Sequence, residues 1–206
     1  MITIIDYEAG NLRSVHNAFE AIGQRSIVTS NPADLAKASA IVLPGVGAFG
    51  DCIESIRRKN LMEPLSEAVL VKKVPYLGIC LGMQFLCRES HEMGSQKGFG
   101  WIDGTVRLIE PNDRRFRVPH IGWNDIQITR RQPLFEDIDE EPVFYFVHSY
   151  HFEVAESDAD VISATTWHGA NITASVQKEN IFGVQFHPEK SQADGLKLLE
   201  NFVKLI

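Results

Sequence analysis

The sequence predicts an α/β fold: a three-layer, mostly parallel sheet with an antiparallel extension, in a flavodoxin-like arrangement. Three observations predict it. Strand and helix patterns alternate through the first half of the chain, short strands follow one another in the second half, and an amphipathic helix closes the sequence. Alternation of this kind implies right-handed crossovers and parallel pairing, whereas consecutive strands separated by turn residues imply antiparallel pairing.

The elements follow in order. Residues Met1 to Asp6 form an apolar strand ending in an acid. From Asn11 to Gly23, the positions Leu12, Val15, Phe19 and Ile22 share one face of a helix that a glycine closes. A second strand spans Arg25 to Ser30, and Asn31-Pro32 then reads as an N-cap with proline in the first turn of a short helix. The strand Ala40 to Leu43 runs into a glycine-rich loop, and helix continues to about Lys73. The apolar run Val74 to Cys80 passes with almost no loop into a predicted helix, Leu81 to Glu89, whose Leu81, Phe85 and Leu86 share a face. Six strands are then predicted at Gly104 to Ile109, Asn124 to Thr129, Pro142 to His148, Asp160 to Thr166, Ile172 to Gln177 and Ile181 to His187. Leu196, Leu199, Phe202, Val203 and Ile206 mark a final helix over Asp194 to Ile206.

Composition narrows the class. A chain of 206 residues, 44% of them hydrophobic, is expected to form one domain over 1–206 with one core. Its net charge of −7, with both signs interspersed, offers no basic stripe for a phosphate backbone, so no nucleic-acid partner is expected. Three scattered cysteines and an N-terminus without a cationic, apolar leader point to the cytoplasm. No apolar run approaches the roughly 20 residues that span a bilayer, so no membrane association is expected either.

Ligands of parallel α/β sheets gather beyond the carboxyl ends of the strands. That rule selects Pro44 to Gly50, Cys80, and His187 to Glu189. In Gly78-Ile79-Cys80-Leu81-Gly82 a cysteine stands between two glycines, each two residues away, which is the spacing of a nucleophile elbow. The turn there is so crowded that only glycine fits on either side, and the side chain is held up and strained. A helix starting at the cysteine directs its dipole at the sulfur and favours the thiolate. Cys52 and Cys87 lack this context and read as small buried hydrophobes.

His187-Pro188-Glu189 ends an apolar run. Residues two apart in an extended segment face the same way, so the carboxylate can fix the imidazole, and a histidine so oriented beside a cysteine serves as its base and later as acid. The other histidines lack comparable context, and without an HExxH or paired CxxC spacing no metal or other cofactor is expected.

Gly45, Gly47 and Gly50 satisfy a dinucleotide-type GxGxxG, but two strand patterns precede the loop and a proline ends its strand, which disfavours that reading. Beside a thiolate, the N–H groups of Val46 and Gly47, with the N–H of Leu81, read instead as an oxyanion hole; a plain tight turn is the alternative. Val46 lies between two glycines, so its peptide is expected to flip readily.

Three segments, Pro44-Gly45-Val46-Gly47, Gly78-Ile79-Cys80-Leu81-Gly82-Met83-Gln84 and Gln185-Phe186-His187-Pro188-Glu189, resemble in this order the signatures of class I glutamine amidotransferases. Asp6-Tyr7, Gly10 to Val15, Pro119 to Asn124, Tyr145 to Tyr150 and Lys190-Ser191 resemble one branch, the glutaminase subunits of imidazole glycerol phosphate synthases in histidine biosynthesis. The resemblance implies a triad of Cys80, His187 and Glu189 that cleaves glutamine through a thioester. It also implies ligand contacts from Gln84, Ser149 and Tyr150. Gln84 lies one helical turn beyond Cys80 and could equally be a polar core residue. A further implication is a heterodimer with a (β/α)8-barrel cyclase that consumes the ammonia, since the chain carries no P-loop or second domain for an acceptor. Asn11, Trp123, Asn124 and Lys190 are the expected docking residues, with a buried core tryptophan as the alternative for Trp123. Rival readings are a relative feeding a sugar-modifying synthase, a free-standing γ-glutamyl hydrolase or cysteine peptidase, and a non-catalytic binding domain.

Overall fold

The computed structural model describes every residue from Met1 to Ile206. Its first half alternates strand and helix: β1 (Ile2–Ile5), α1 (Leu12–Ala21), β2 (Ser26–Thr29), α2 (Pro32–Leu35), β3 (Ala40–Gly45), α3 (Phe49–Arg58), α4 (Met62–Ser66) with a π turn over Glu67–Val71, β4 (Tyr76–Cys80) and α5 (Leu81–Gln84). Asn31 caps α2 as expected, its side chain accepting the Ala33 N–H at 3.1 Å with Pro32 in the first turn. The second half holds β5 (Glu89–Ser90), β6 (Gln96–Lys97), β7 (Gly104–Leu108), β8 (His120–Asp125), β9 (Gln127–Ile128), β10 (Val143–His148), β11 (Tyr150–Val154), β12 (Ile162–Trp167), β13 (Asn171–Lys178), β14 (Ile181–Val184) and α6 (Gln192–Val203).

The main sheet has the order β2-β1-β3-β4-β14-β13-β12-β9. Its first five strands are parallel, and the last three continue it antiparallel. Side chains alternate across it. Ile41, Leu43 and Tyr76 enter one apolar cluster with α3 to α5, while Ala40, Val42, Leu77 and Ile79 enter another with α1 and α6. Both faces of β3 and β4 are therefore buried, which is why these strands read as unbroken apolar runs rather than alternating ones. No helix is long and apolar enough to cross a membrane.

Four expectations need correction. The helix expected over Leu81 to Glu89 stops at Gln84, because the carbonyls that would continue it are taken from elsewhere: Phe85 O accepts from Phe99 N (2.7 Å), Leu86 O from Ile102 N (3.1 Å) and Cys87 O from Gly100 N (2.9 Å). The strand expected over Asn124 to Thr129 is two, β8 and β9, joined at the buried Ile126, where the chain passes from a two-stranded ribbon with β10 into the main sheet. The strand β11 was not expected; it pairs with β7, so the second half forms two small sheets besides the extension. Finally, the strand expected over Ile181 to His187 is antiparallel on one edge only, to β13, and parallel on the other. The hairpin at Glu179-Asn180 reverses the chain after β13, and β14 runs parallel to β4, with Val184 opposite Ile79.

Candidate active site

Two parallel neighbours end at the same edge, so β4 delivers Cys80 and the chain leaving β14 delivers His187 to one place. Cys80 has φ +54° and ψ −108°, a left-handed conformation that side chains rarely adopt. Its neighbours show why glycines flank it. A Cβ on Gly78 would lie 2.4 Å from Gly82 O, and one on Gly82 would lie 1.7 Å from the Leu43 carbonyl oxygen of β3. The Tyr76 hydroxyl donates to Gly82 O at 2.9 Å and pins the turn from the other side. With α5 only one turn long, little helix dipole is directed at the sulfur.

Beyond Val184, Gln185 N still bonds Ala174 O of β13 (2.9 Å), and the chain then leaves the main sheet, with His187 N bonding Tyr145 O of β10 (2.9 Å). Pro188 opens a short 3-10 turn that brings Glu189 back beneath the imidazole. His187 Nδ1 lies 2.8 Å from Glu189 Oε1, and the two side chains are 3% and 1% exposed. Burial works against a charged imidazole, but its interactions with Cys80 and with the Glu189 carboxylate outweigh that penalty and hold the His187 pKa up to about 10. His187 Nε2 and Glu189 Oε2 are buried without a partner of ordinary hydrogen-bond geometry. The pair lies behind Cys80 rather than in the open pocket.

That pocket, of about 330 Å3, is lined by Cys80 and by all six residues expected at the ligand: Val46, Gly47, Leu81, Gln84, Ser149 and Tyr150. Gly47 has φ +119°, and the Val46 carbonyl accepts a weak bond from the Cys52 thiol at 3.7 Å. Cys52 is thus more than filler, and burial pushes its thiol up to about 11, so it stays a donor. Burial pushes Cys87 to about 12, and it remains a small core residue. Gln84 is buried and polar and also lines the pocket, with its Nε2 committed to Tyr150 O (2.9 Å) and Gln185 Oε1 (3.0 Å).

Glu92, Pro119, Val147 and His148 complete the lining. Glu92 accepts the Phe49 N–H at 2.9 Å, and burial, with Asp51 nearby, raises its carboxyl above the ordinary range. It sits in a loop without a motif, so only the fold brings it to the pocket. Gln185 was visible within the QFHPE segment, but nothing in that segment assigned it a role.

The expected docking residues lie outside the pocket. Trp123 is 48% exposed, which rules out a core role; with Ile121 on β8 and Val143 on β10 it forms an exposed apolar face. Its ring meets Tyr145 edge-on at 6.1 Å, and the Lys190 ammonium stands 5.5 Å from the same Tyr145 ring. Asn11 is exposed at the start of α1. Asn124 is turned inward, its Nδ2 donating to Trp167 O (3.0 Å) and to His120 Nε2 (3.2 Å).

Comparison with known proteins fits this geometry. The family described as glutamine amidotransferase class-I matches residues 3–206. The chain is 46% identical over 205 residues to the imidazole glycerol phosphate synthase subunit HisH 1 of Campylobacter jejuni strain RM1221, covering 100% of both. It is 49% identical over 209 residues to the HisH subunit of Salinibacter ruber, covering 100% of this chain and 94% of that one. Among solved structures, a glutamine amidotransferase superposes with a TM-score of 0.76 at 16% identity over 100% of this chain and 98% of that one. PurLQS from Thermotoga maritima does so with 0.74 at 19% over 98% and 97%, and both likenesses show the shared fold. The chain belongs to the class-I glutamine amidotransferases, in the branch formed by the HisH subunits of imidazole glycerol phosphate synthase.

Proposed function

We propose that residues 1–206 act as one glutaminase domain, which frees ammonia from glutamine and supplies it for imidazole glycerol phosphate synthesis in histidine biosynthesis. The observation that carries the reading is Cys80 in its strained turn with the buried His187–Glu189 pair behind it, 2.8 Å between ring and carboxylate. Glutamine enters the pocket with its α-amino group towards the Glu92 carboxylate and Gln84 Oε1, and its α-carboxylate towards the backbone of Ser149 and Tyr150. Cys80 Sγ attacks the side-chain carbonyl carbon, and the oxygen becomes an anion received by N–H groups of Leu81 and the Val46-Gly47 loop. His187 passes the thiol proton to the departing nitrogen, and the C–N bond breaks to leave ammonia and a glutamyl thioester. Water then attacks the thioester; His187 takes its proton and returns it to sulfur as glutamate leaves. Glu189 holds the ring and stabilises its cationic form throughout.

Ammonia in open water at neutral pH becomes ammonium and loses its nucleophilicity, so delivery calls for a docked acceptor subunit. We assign that role to a (β/α)8-barrel cyclase seated on the face of Ile121, Trp123, Val143 and Lys190, with Asn11 at its edge. An exposed tryptophan and two aliphatic side chains flanked by a lysine suit such a contact. We place the complex in the cytoplasm, where three free thiols are stable. Glutamine hydrolysis measured alone, with the cyclase, and with the cyclase plus its ribotide tests the reading. Slow basal turnover, strong stimulation and loss of both in Cys80→Ala are expected; undiminished turnover in that variant would refute it.

A further inference from the structure

We propose that Gln185 is a positioning residue for the nucleophile: its buried side-chain amide donates to the Cys80 sulfur, in an orientation imposed through Gln84 by a backbone carbonyl. The inference rests on the reading of Cys80 as the nucleophile. Gln185 is fully buried, and its Nε2 lies 3.5 Å from Cys80 Sγ, within reach of an N–H···S bond.

The polarity of this contact follows from its neighbours. Tyr150 O is a carbonyl and can only accept, so the Gln84 atom 2.9 Å away is its nitrogen. That nitrogen can only donate, so the Gln185 atom 3.0 Å from it is oxygen, which leaves the Gln185 NH2 facing the sulfur. Reversing Gln185, which is fully buried, would set two NH2 groups against each other and an oxygen against the thiolate. His148 Nδ1, 2.8 Å from the same Tyr150 carbonyl, donates to it as well, so the anchor is held from two sides. A donor aimed at sulfur stabilises the thiolate more than the thiol and restrains where it points. With α5 only one turn long, the Gln185 donor adds to the stabilisation that the His187 imidazolium gives the sulfur.

The test is the pH profile of Cys80 alkylation by iodoacetamide without glutamine, read by mass on the Cys80 peptide from about pH 5 to about pH 10. In Gln185→Met, which keeps the volume and removes the donor, the rate near pH 7 should fall about tenfold and the profile should move to higher pH. In Gln185→Glu, which presents an acceptor, it should move further the same way. A purely structural role would lower Tm and leave the profile in place, so a wild-type profile in folded Gln185→Met overturns the proposal. If that variant does not fold, Gln84→Met removes the anchor instead, and an unmoved profile there overturns it equally. Failure of the glutaminase reading shows separately, as glutamine turnover retained in Cys80→Ala.

Discussion

Gly82→Ala probes how the turn at Cys80 is built. The added Cβ would stand 1.7 Å from Leu43 O and 2.9 Å from the Leu43 carbonyl carbon, whereas real Cβ atoms essentially never come closer than 3.0 Å to another heavy atom. The turn must therefore retreat by more than an ångström. Leu43 cannot give way: it is fully buried in β3 and paired with Gly78 of β4 at the centre of the main sheet. Backbone pushed against backbone in a packed core costs about 3 kcal/mol or more, a large part of the roughly 5–15 kcal/mol that stabilises a domain. Gly23→Ala is the control for a glycine with backbone strain but no clash: Gly23 has φ +75°, unlike the helical Gly82, and nothing within 4 Å of its Cβ, so it should cost only about 1–2 kcal/mol. Gly78→Ala clashes with Gly82 O in the same turn, so the double variant should cost at least about 1 kcal/mol less than the sum of the singles. Urea unfolding at constant m-value measures all four, and alkylation of Cys80 reports the turn itself. A Gly82→Ala protein within about 1 kcal/mol of the parent, with Cys80 reacting at the parent rate, would refute the steric account.

Two further outcomes are expected. Burial lowers the pKa of His148 to about 3 and of His120 to about 4, with neighbouring histidines, His168 among them, adding to the effect. Both are neutral in the folded protein and take up protons on unfolding below pH about 6.5, so stability falls as pH drops; His148 alone should cost about 2 kcal/mol at pH 5. His187 acts in the opposite sense: its folded pKa is raised, so its contribution is complete below about 6.5 and lost as pH rises towards 10. Urea midpoints should therefore peak near pH 6.5, and a midpoint still rising as pH falls to 5 would contradict the buried neutral pair. Trp123→Ala should weaken association with the cyclase by about 2 kcal/mol while shifting the unfolding free energy by less than about 0.5 kcal/mol, as calorimetric titration and urea unfolding would show.

Much of the site was legible because its chemistry is local. The glycine spacing around Cys80 reports a sterically forced turn, and the nearness of His187 and Glu189 was legible as well, although a 3-10 turn at Pro188 rather than an extended segment brings ring and carboxylate together. Element order was legible for a similar reason: the apolar runs of β3 and β4 and the helical periodicity of α1 and α6 record burial directly. Glu92 was not legible, since a carboxylate in a short loop carries no periodicity and reaches the pocket only because α3 begins beside it. The length of α5 was hidden too, because its end is set by N–H groups of Phe99, Gly100 and Ile102 taking the carbonyls of Phe85, Cys87 and Leu86 that would have extended it.

The sequence by itself determined the layered α/β class, the crowded turn at Cys80 and the nearness of His187 and Glu189, since these depend on spacing and burial within short segments. Only the tertiary structure decided that β14 turns back parallel to β4, that Trp123 faces outward, and that Gln185 meets the Cys80 sulfur. Those outcomes depend on which distant segments are brought together, and contacts between residues about a hundred positions apart leave no periodic trace in either one.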